Sequence, residues 1–141
     1  MRAGYARVST ADQNLDLQRD ALRRAGCRRY YEDRASGIDT DRPQLRRCLA
    51  RLVAGDCLVV WRLDRLGRSL ADLIHIVAQL EERGIVLESI MERMDTASPA
   101  GRLMFHVLGA LAEFERNLIR ERILAGLAAA RARGRRFGSR G

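Results

Sequence analysis

Two hydrophobic patterns alternate along the first part of the chain. Short runs of β-favouring residues occur at 4–9, 29–32, 57–61 and 85–90, and the continuous apolar run at 57–61 is typical of a strand buried on both faces. Between them, apolar residues recur at helical spacing, and each helical segment is followed by a glycine: Gly26, Gly55 and Gly84. This β-α-β-α-β-α-β order predicts an α/β fold, with a mainly parallel sheet of four to five strands and helices on both faces.

Polar residues mark the predicted ends of these helices. Thr10 and Gln13 fit a capping box for the first helix, and Ser69 with Asp72 caps the third. The polar segment 33–41 is predicted to be an exposed, mobile loop.

The second helix begins near Pro43, which suits a first helical turn, with Asp41 or Arg42 at its cap. Its buried side is predicted to consist of Leu45, Leu49, Leu52 and Val53.

The last element is a long helix that begins at Ser98 and Pro99 and continues to about Arg133, because no further proline interrupts it. A helix of roughly 30 residues is about 45 Å long. Its first half can pack within the chain, but the part after Glu115 would extend beyond so small a domain. A second copy of the chain is the simplest partner for it. The expected oligomer interface is an apolar stripe of Leu103, Val107, Leu111, Phe114 and Leu118.

The distribution of charge along the chain indicates what kind of partner it binds. The 141 residues suffice for one domain with a proper core, and all 26 basic residues are arginine against 18 acids, a balance of 26 − 18 = +8. Codon bias in the genome could explain arginine over lysine, but it does not explain why five arginines and no acid follow residue 130. Such a tail attracts a polyanion, most plausibly nucleic acid. Its arginines are Arg131, Arg133, Arg135, Arg136 and Arg140.

The three cysteines, Cys27, Cys48 and Cys57, form no CxxC pair and have no histidine cluster near them. The sequence therefore predicts neither a disulfide framework nor a metal site, and reduced thiols in the cytoplasm are expected. Neither a signal peptide nor a stretch of membrane-spanning length is found, so a cytoplasmic protein without membrane contact is expected.

Candidate chemistry lies at the carboxyl ends of two predicted strands. Arg7 and Ser9 lie two residues apart near the end of the first strand, so they share one face of it. Asp64, Arg65 and Arg68 lie in the polar turn after the third strand, and in a parallel sheet both ends meet at one rim. A hydroxyl beside several guanidiniums suits phosphate chemistry. The plainer alternatives are that Ser9 caps the next helix and that Asp64 pairs with a neighbouring arginine on the surface.

Several motifs together resemble the serine recombinases, in the DNA-invertase and resolvase branch. They are Tyr-Ala-Arg-Val-Ser at 5–9, Asp12-Gln13 with Gln18, Ser36-Gly37, Asp41-Arg42-Pro43, Gly55-Asp56, Leu-Asp-Arg-Leu-Gly-Arg at 63–68, and Glu-Phe-Glu-Arg at 113–116 with Glu121-Arg122. The run 125–131 leans towards the invertases. The match covers essentially the whole chain, in order.

The resemblance implies that Ser9 attacks a DNA phosphodiester to give a 5′-phosphoseryl linkage and a free 3′-hydroxyl. No cofactor and no metal is expected, since guanidiniums would stabilise the charge on the phosphoryl oxygens. It further implies that Arg7, Arg65 and Arg68 surround the phosphate and that Arg42 reaches it from the mobile loop. Asp64 either handles a proton at the leaving oxygen or orients an arginine. The residues expected to shape the nucleophile's surroundings are Gln13 and Gln18.

By the same resemblance, the partner is a double-stranded DNA crossover site. The chain would form a homodimer through the long helix and a tetramer in the synaptic complex, and an accessory protein bound to an enhancer is a further expected partner. The expected domains are a catalytic domain at 1–98, a dimerisation and DNA-contacting helix at 99–134, and a basic arm at 135–141. A helix-turn-helix domain is expected to be absent. Expected DNA contacts are Arg116, Arg120, Arg122, Arg131, Arg133, Arg135, Arg136 and Arg140.

Two other functions compete with a recombinase. The first is an idle DNA-binding or dimerisation module that lacks a site-reading domain. The second is a phosphate- or nucleotide-binding α/β protein, which the sequence disfavours because no glycine-rich loop follows the first strand at 8–12.

Overall fold

The computed structural model describes residues 1–9, 15–35 and 41–138, with 9, 35 and 135–138 described by their backbone alone. Its centre is a five-stranded sheet of order β2-β1-β3-β4-β5. The neighbouring strands run parallel except for β4 and β5, which are antiparallel. The strands are β1 (Arg2–Ser9), β2 (Arg29–Ala35), β3 (Cys57–Val60), β4 (Val86–Ser89) and β5 (Met94–Asp95).

Helices cover both faces of this sheet, which confirms the predicted fold class. They are α1 (Leu15–Arg24), α2 (Pro43–Arg51), α3 (Leu70–Glu82) and α4 (Pro99–Gly138). One core layer joins the sheet to α2, α3 and the start of α4, through residues such as Leu45, Leu80 and Phe105. A smaller layer on the other face contains Leu22 of α1. All residues of β3 are buried, as its continuous apolar pattern predicts.

Strand β2 is longer than predicted and removes part of the expected loop at 33–41. It pairs with β1 along its whole length, from Ala3 opposite Arg29 to Ser9 opposite Ala35. Asp33 is buried within it, because the Tyr5 hydroxyl and two backbone N–H groups at the start of α2 donate hydrogen bonds to its carboxylate. Residues 36–40 of the predicted loop lie outside the described part of the chain.

The N-cap of α2 lies at one of the two predicted positions, but the buried side of this helix differs from prediction. Arg42 occupies the N-cap position without a side-chain capping bond, because Asp33 accepts from the N–H groups of Gln44 and Leu45 instead. Val53 is 63% exposed rather than buried, since the helix ends at Arg51 and the backbone at Leu52 is extended. The predicted Ser69 cap of α3 is confirmed: its hydroxyl accepts the Asp72 N–H at 3.1 Å. The Thr10–Gln13 capping box lies outside the described residues.

Helix α4 has 40 residues and extends to Gly138, beyond the predicted end at 134. It is about 60 Å long at 1.5 Å per residue. Its first half packs on the domain through Phe105 and Ala112, which are buried. Four of the predicted interface residues, Leu103, Val107, Leu111 and Phe114, are between 46% and 64% exposed, and Leu118 is half-buried. Among the described helices, none is both long and apolar enough to cross a membrane.

Candidate active site

The site lies at the carboxyl edge of the sheet, where β3 ends at Val60, opposite Tyr5, and β1 continues to Ser9. Ser9 is the last residue of β1. The chain after β3 forms the 62–68 turn, which contains a short 3₁₀ helix at Leu63–Arg65. Because β1 and β3 are parallel neighbours, the backbone of Ser9 and this turn lie at the same rim.

Arg7 connects the first strand to the turn. Its Nη2 donates to the carbonyl oxygens of Asp64 at 2.8 Å and Gly67 at 3.2 Å. The backbone of Arg7 is held from behind by Gln18, whose fully buried amide accepts from the Arg7 N–H at 3.3 Å and donates to its carbonyl at 3.1 Å. Arg7 is therefore fixed at both its backbone and its guanidinium.

Three guanidiniums lie close enough to influence one another. Burial lowers the pKa of Arg7 below its usual value, and the charges of Arg42 and Arg65 act in the same direction. Arginine stays protonated at neutral pH even so, so the rim carries a concentration of positive charge. Such a cluster is suited to an anion that neutralises it.

Arg42 reaches the same turn from the start of α2. Its Nη1 donates to the carbonyl oxygen of Leu66 at 2.7 Å, and its guanidinium pairs with Asp72 of α3. Arg42 is the N-cap residue of α2, one of the two cap positions that the sequence predicts, whereas the resemblance implies that it reaches the site from the mobile loop. Arg68 is the last residue of the turn. Its backbone N–H donates to the Asp72 carboxylate, and its side chain is 45% exposed.

The turn itself is held by contacts distant in sequence. Glu92, after β4, accepts the Leu63 N–H at 2.6 Å and the Ser89 hydroxyl at 3.1 Å. A Cβ atom at Gly67 would lie 2.6 Å from the Cβ of Leu73, so only glycine allows the turn to approach α3 this closely.

Asp64 projects from the turn and pairs with two neighbouring arginines. Its carboxylate lies 3.2 Å from Arg62 Nη2 and 3.7 Å from Arg65 Nε. The guanidiniums of Arg62 and Arg65 lie 4.8 Å and 5.8 Å from the centre of the Trp61 ring. The aromatic face therefore helps to orient Arg65.

The structure brings most of the predicted catalytic residues to one rim: Arg7, Arg42, Asp64, Arg65 and Arg68, beside the backbone of Ser9, with Gln18 behind them. Gln13 lies outside the described residues. The predicted DNA-binding residues lie elsewhere, along the distal part of α4. The exposed ones are Arg116, Arg120, Arg122, Arg131 and Arg133. Arg135 and Arg136 continue the helix, and Arg140 lies outside the described residues.

Three acidic residues that support the site were not predicted to do so. Asp33 was assigned to a loop, Asp72 was assigned only a capping role, and Glu92 was not singled out. Each has a partner far away in sequence. Asp33 accepts from residues 11 to 28 positions away, Asp72 pairs with Arg42 at a separation of 30, and Glu92 accepts from Leu63 at a separation of 29. The sequence does show that these acidic residues lie next to an apolar strand or at the start of a helix. That position does not indicate which distant residue each carboxylate binds.

The other reactive groups of the described chain lie in different surroundings. Among the described residues, His, Cys, Asp and Glu do not come together in a group of three or more that could hold a metal ion. The three cysteines are free and buried, and burial raises the pKa of Cys27 and Cys57 to about 11 and of Cys48 to about 12. Such thiols are poor nucleophiles at neutral pH.

Comparison with known proteins identifies the family. The family model described as "Resolvase, N terminal domain" matches residues 2–136. Serine recombinase gin of Escherichia phage Mu is 62% identical over 135 residues, which cover 96% of this chain and 70% of that protein. DNA-invertase hin of Salmonella typhimurium is 58% identical over 132 residues, covering 94% of this chain and 70% of the relative.

Solved structures agree in fold. The N-terminal catalytic domain of TP901-1 integrase matches with a TM-score of 0.71 and 32% identity, over 83% of this chain and 97% of that one. A resolvase family site-specific recombinase from Streptococcus pneumoniae matches with a TM-score of 0.72 and 26% identity, over 89% and 93% of the two chains.

Fold, rim and comparisons together define the class as a catalytic α/β domain of the resolvase and invertase type. The chain belongs to the resolvase family of serine recombinases, in the branch that contains the DNA invertases.

Proposed function

We propose that this chain catalyses site-specific DNA recombination through a covalent serine intermediate. The Ser9 hydroxyl attacks a DNA phosphodiester, the bond from phosphorus to O3′ breaks, and a 5′-phosphoseryl linkage forms. The serine gives up one proton and the leaving O3′ gains one, so the step is balanced. Attack by a 3′-hydroxyl on the phosphoserine reverses it, and no external energy source is required.

The observation that supports this chemistry best is the meeting of Arg7, Arg42 and Arg65 at the rim where β1 ends in Ser9. A pentacovalent phosphoryl transition state carries negative charge on its equatorial oxygens. Guanidiniums fixed in advance stabilise that charge in the role that metal ions fill elsewhere. Arg68 completes the proposed set around the phosphate.

Asp64 has two proposed roles, and its contacts favour one of them. It could transfer a proton at the leaving oxygen, or it could orient an arginine. Its 3.2 Å and 3.7 Å contacts with Arg62 and Arg65 favour the second role in the DNA-free protein.

Helix α4 is proposed to join two copies of the chain and to contact DNA. In this domain division, residues 1–98 are catalytic, 99–134 form the dimerisation helix and 135–141 a basic arm. Two dimers would form the tetramer that cuts four strands and exchanges them by rotation. The exposed apolar residues of the distal helix support a partner, since Ile119, Ile123, Leu124 and Leu127 are each more than half exposed.

Trapping the intermediate tests the proposed chemistry. The full chain is joined at its C-terminal end to a zinc-finger domain of known site (the reader fusion). The DNA is a duplex in which a randomised core lies between two zinc-finger sites. It carries a nick, so that the fragment released by cleavage dissociates and rejoining is prevented (the nicked duplex). After quenching with detergent, we expect a covalent protein–DNA adduct.

Two substitutions should prevent adduct formation without loss of DNA binding. Ser9→Ala removes the nucleophile, and Arg68→Lys replaces a planar fork by a point charge that cannot span two phosphoryl oxygens. Arg23→Lys on the exposed side of α1 is the matched control and should form adduct at the normal rate. An adduct that persists in Ser9→Ala would refute the proposal. Absence of adduct from every variant, including the natural chain, would favour an idle DNA-binding module.

The proposed DNA contacts of α4 are tested by salt dependence. Each phosphate contact contributes roughly 0.9 to the slope of log K against log salt concentration. Replacing Arg131 and Arg133 together by alanine should therefore lower the slope by roughly 2 on a random-sequence duplex. The pair Arg23→Ala and Arg24→Ala removes the same charge from α1 and should leave the slope unchanged. Equal slopes for both pairs would contradict a specific role for α4.

A further inference from the structure

We propose that Asp72 is a positioning residue for Arg42. Its carboxylate binds one end of the Arg42 guanidinium and leaves the other edge to a phosphoryl group. This inference rests on the proposed function, in which Arg42 contacts the scissile phosphate.

The hydrogen bonds of Arg42 divide its guanidinium into two edges. Asp72 takes the end of the fork, with Oδ2 at 3.0 Å from Nη1 and Oδ1 at 3.2 Å from Nη2. The carbonyl oxygen of Leu66 accepts the other N–H of Nη1 at 2.7 Å. The Leu66 and Oδ1 contacts are hydrogen bonds and use two of the five N–H groups that a guanidinium offers, while the approach of Oδ2 to Nη1 is an ion-pair contact.

Two of the N–H groups that make no hydrogen bond, on Nε and Nη2, lie along the same edge of the planar fork. Within the described part of the chain, neither has an acceptor. Two parallel N–H groups on one edge are the arrangement that binds two phosphoryl oxygens at once. Asp72 therefore fixes the orientation of Arg42 without using the edge that the proposed chemistry needs.

Asp72 is itself held rigidly. Its N–H donates to the Ser69 hydroxyl, which anchors it in the first turn of α3. Its Oδ2 also accepts the backbone N–H of Arg68 at 2.9 Å and lies 4.0 Å from Arg68 Nε. One carboxylate thus connects the start of α2, the start of α3 and the segment that carries Arg68.

The pair is more protected than an ordinary surface ion pair. The side chains of Arg42 and Asp72 are only 14% and 21% exposed. Burial by itself would raise the pKa of Asp72, but the hydrogen bonds from Arg68 and Arg42 and their charges lower it overall. The carboxylate is therefore ionised at neutral pH, as a charged hydrogen-bond pair requires.

An ion pair that merely stabilises the fold would have the same geometry, so the test must separate positioning from stability. A double-mutant cycle does this, because a residue that acts through Arg42 has no further effect once Arg42 is removed. The variants are Asp72→Asn, Arg42→Ala and the two combined. Each is measured as adduct formation by the reader fusion on the nicked duplex. Replacing the scissile O3′ by sulfur, a better leaving group, keeps slow variants measurable.

We expect Asp72→Asn to slow adduct formation about tenfold with unchanged DNA affinity, since a misoriented catalytic group costs rate rather than binding. In the Arg42→Ala background the same substitution should change the rate less than about twofold. Asp72→Glu keeps the charge one carbon further out and should recover part of the rate. This variant also keeps the proposal testable if Asp72→Asn folds poorly. Urea unfolding of each variant reports its stability separately.

The matched control is Glu32→Gln. It removes a carboxylate from a similar two-point pair, in which Arg19 donates to Glu32 at 2.6 Å and 2.8 Å, and it lies outside the site. Its rate should be normal. Equal slowing by Asp72→Asn in both backgrounds, or no slowing while Arg42→Ala is slow, would overturn the role of Asp72 alone. A normal rate for Arg42→Ala, or adduct in Ser9→Ala, would instead refute the proposed function.

Discussion

At the scale of single residues, carbonyl oxygens of the 62–68 turn help to hold two cations of the rim in place. Arg7 binds the carbonyl oxygens of Asp64 and Gly67, and Arg42 binds that of Leu66. Carbonyl oxygens orient a guanidinium without cancelling its charge, so the turn fixes two arginines and keeps their positive charge available. Lysine offers a single ammonium without a fork, and could not make the same contacts and bind an anion as well.

Acid stability should depend on the Arg19–Glu32 pair. The hydrogen bond from Arg19 lowers the pKa of Glu32 below its ordinary value of 4.5, although burial opposes it. A carboxylate with a lowered folded-state pKa contributes stability above its unfolded-state value and loses it as the pH falls through the folded-state value. In urea titrations, the unfolding free energy of the natural chain should therefore fall more than that of Glu32→Gln as the pH drops from about 5 through the range in which glutamate takes up its proton. Identical pH profiles would contradict this assignment.

At the scale of secondary-structure elements, the 62–68 turn depends on a hydrogen-bond acceptor, Glu92, from the segment that follows β4. Glu92 accepts the Leu63 N–H, which the N-cap residue Arg62 leaves uncapped. Glu92→Ala should lower the unfolding free energy by about 1 kcal/mol, the cost of an unsatisfied N–H. Glu92→Gln keeps an acceptor oxygen and should lose less.

Trp61, the only tryptophan in the sequence, reports on the same turn because Arg62 and Arg65 lie over its ring. Its fluorescence spectrum should change in Glu92→Ala and remain close to normal in Glu92→Gln. Glu82→Ala, at the exposed end of α3, is the control and should leave the emission unchanged. Unchanged emission in Glu92→Ala would show that the turn does not need this contact.

The start of α4 requires a glycine. A Cβ atom at Gly101 would lie 1.7 Å from the carbonyl oxygen of Asp95 in β5, a contact that neither backbone can avoid. Gly101→Ala should lower the unfolding free energy by about 3 kcal/mol or more, measured by urea unfolding. The control is Gly126→Ala, where nothing lies within 4 Å and alanine favours helix by about 1 kcal/mol. Equal stability of the two variants would contradict the close approach.

The elements and the rim could be predicted from the sequence because they follow local rules. Apolar spacing indicates strands and helices, and the carboxyl ends of parallel strands share an edge, so Arg7 and Arg65 could be placed together. The supports of the rim could not be predicted in this way. Whether Asp33 is a loop residue or a buried acceptor depends on α2 and Tyr5, and the use of Glu92 depends on a contact across the sheet. Such contacts appear only once the chain is folded.

At the scale of the whole molecule, α4 carries an apolar surface that the chain does not cover. Phe114 is 62% exposed near the middle of this helix. Phe114→Glu should shift the protein to monomer in sedimentation runs over a concentration series, because a charge cannot be buried between two apolar helices. Val53→Glu adds the same charge at an apolar side chain that is 63% exposed and lies between α2 and β3, away from α4, and it should keep the natural association. Unchanged association in Phe114→Glu would argue against this stripe as the interface.

Residue 9 should become covalently linked to DNA, and locating that bond is the sharpest test of the proposed chemistry. Adduct from the reader fusion and the nicked duplex is digested with protease and nuclease, and the peptide that carries the nucleotide is sequenced by mass spectrometry. We expect a 5′-phosphate on Ser9 and, on the other DNA end, a 3′-hydroxyl that a polymerase extends. A linkage to any other residue, or cleavage that leaves a 3′-phosphate, would contradict it.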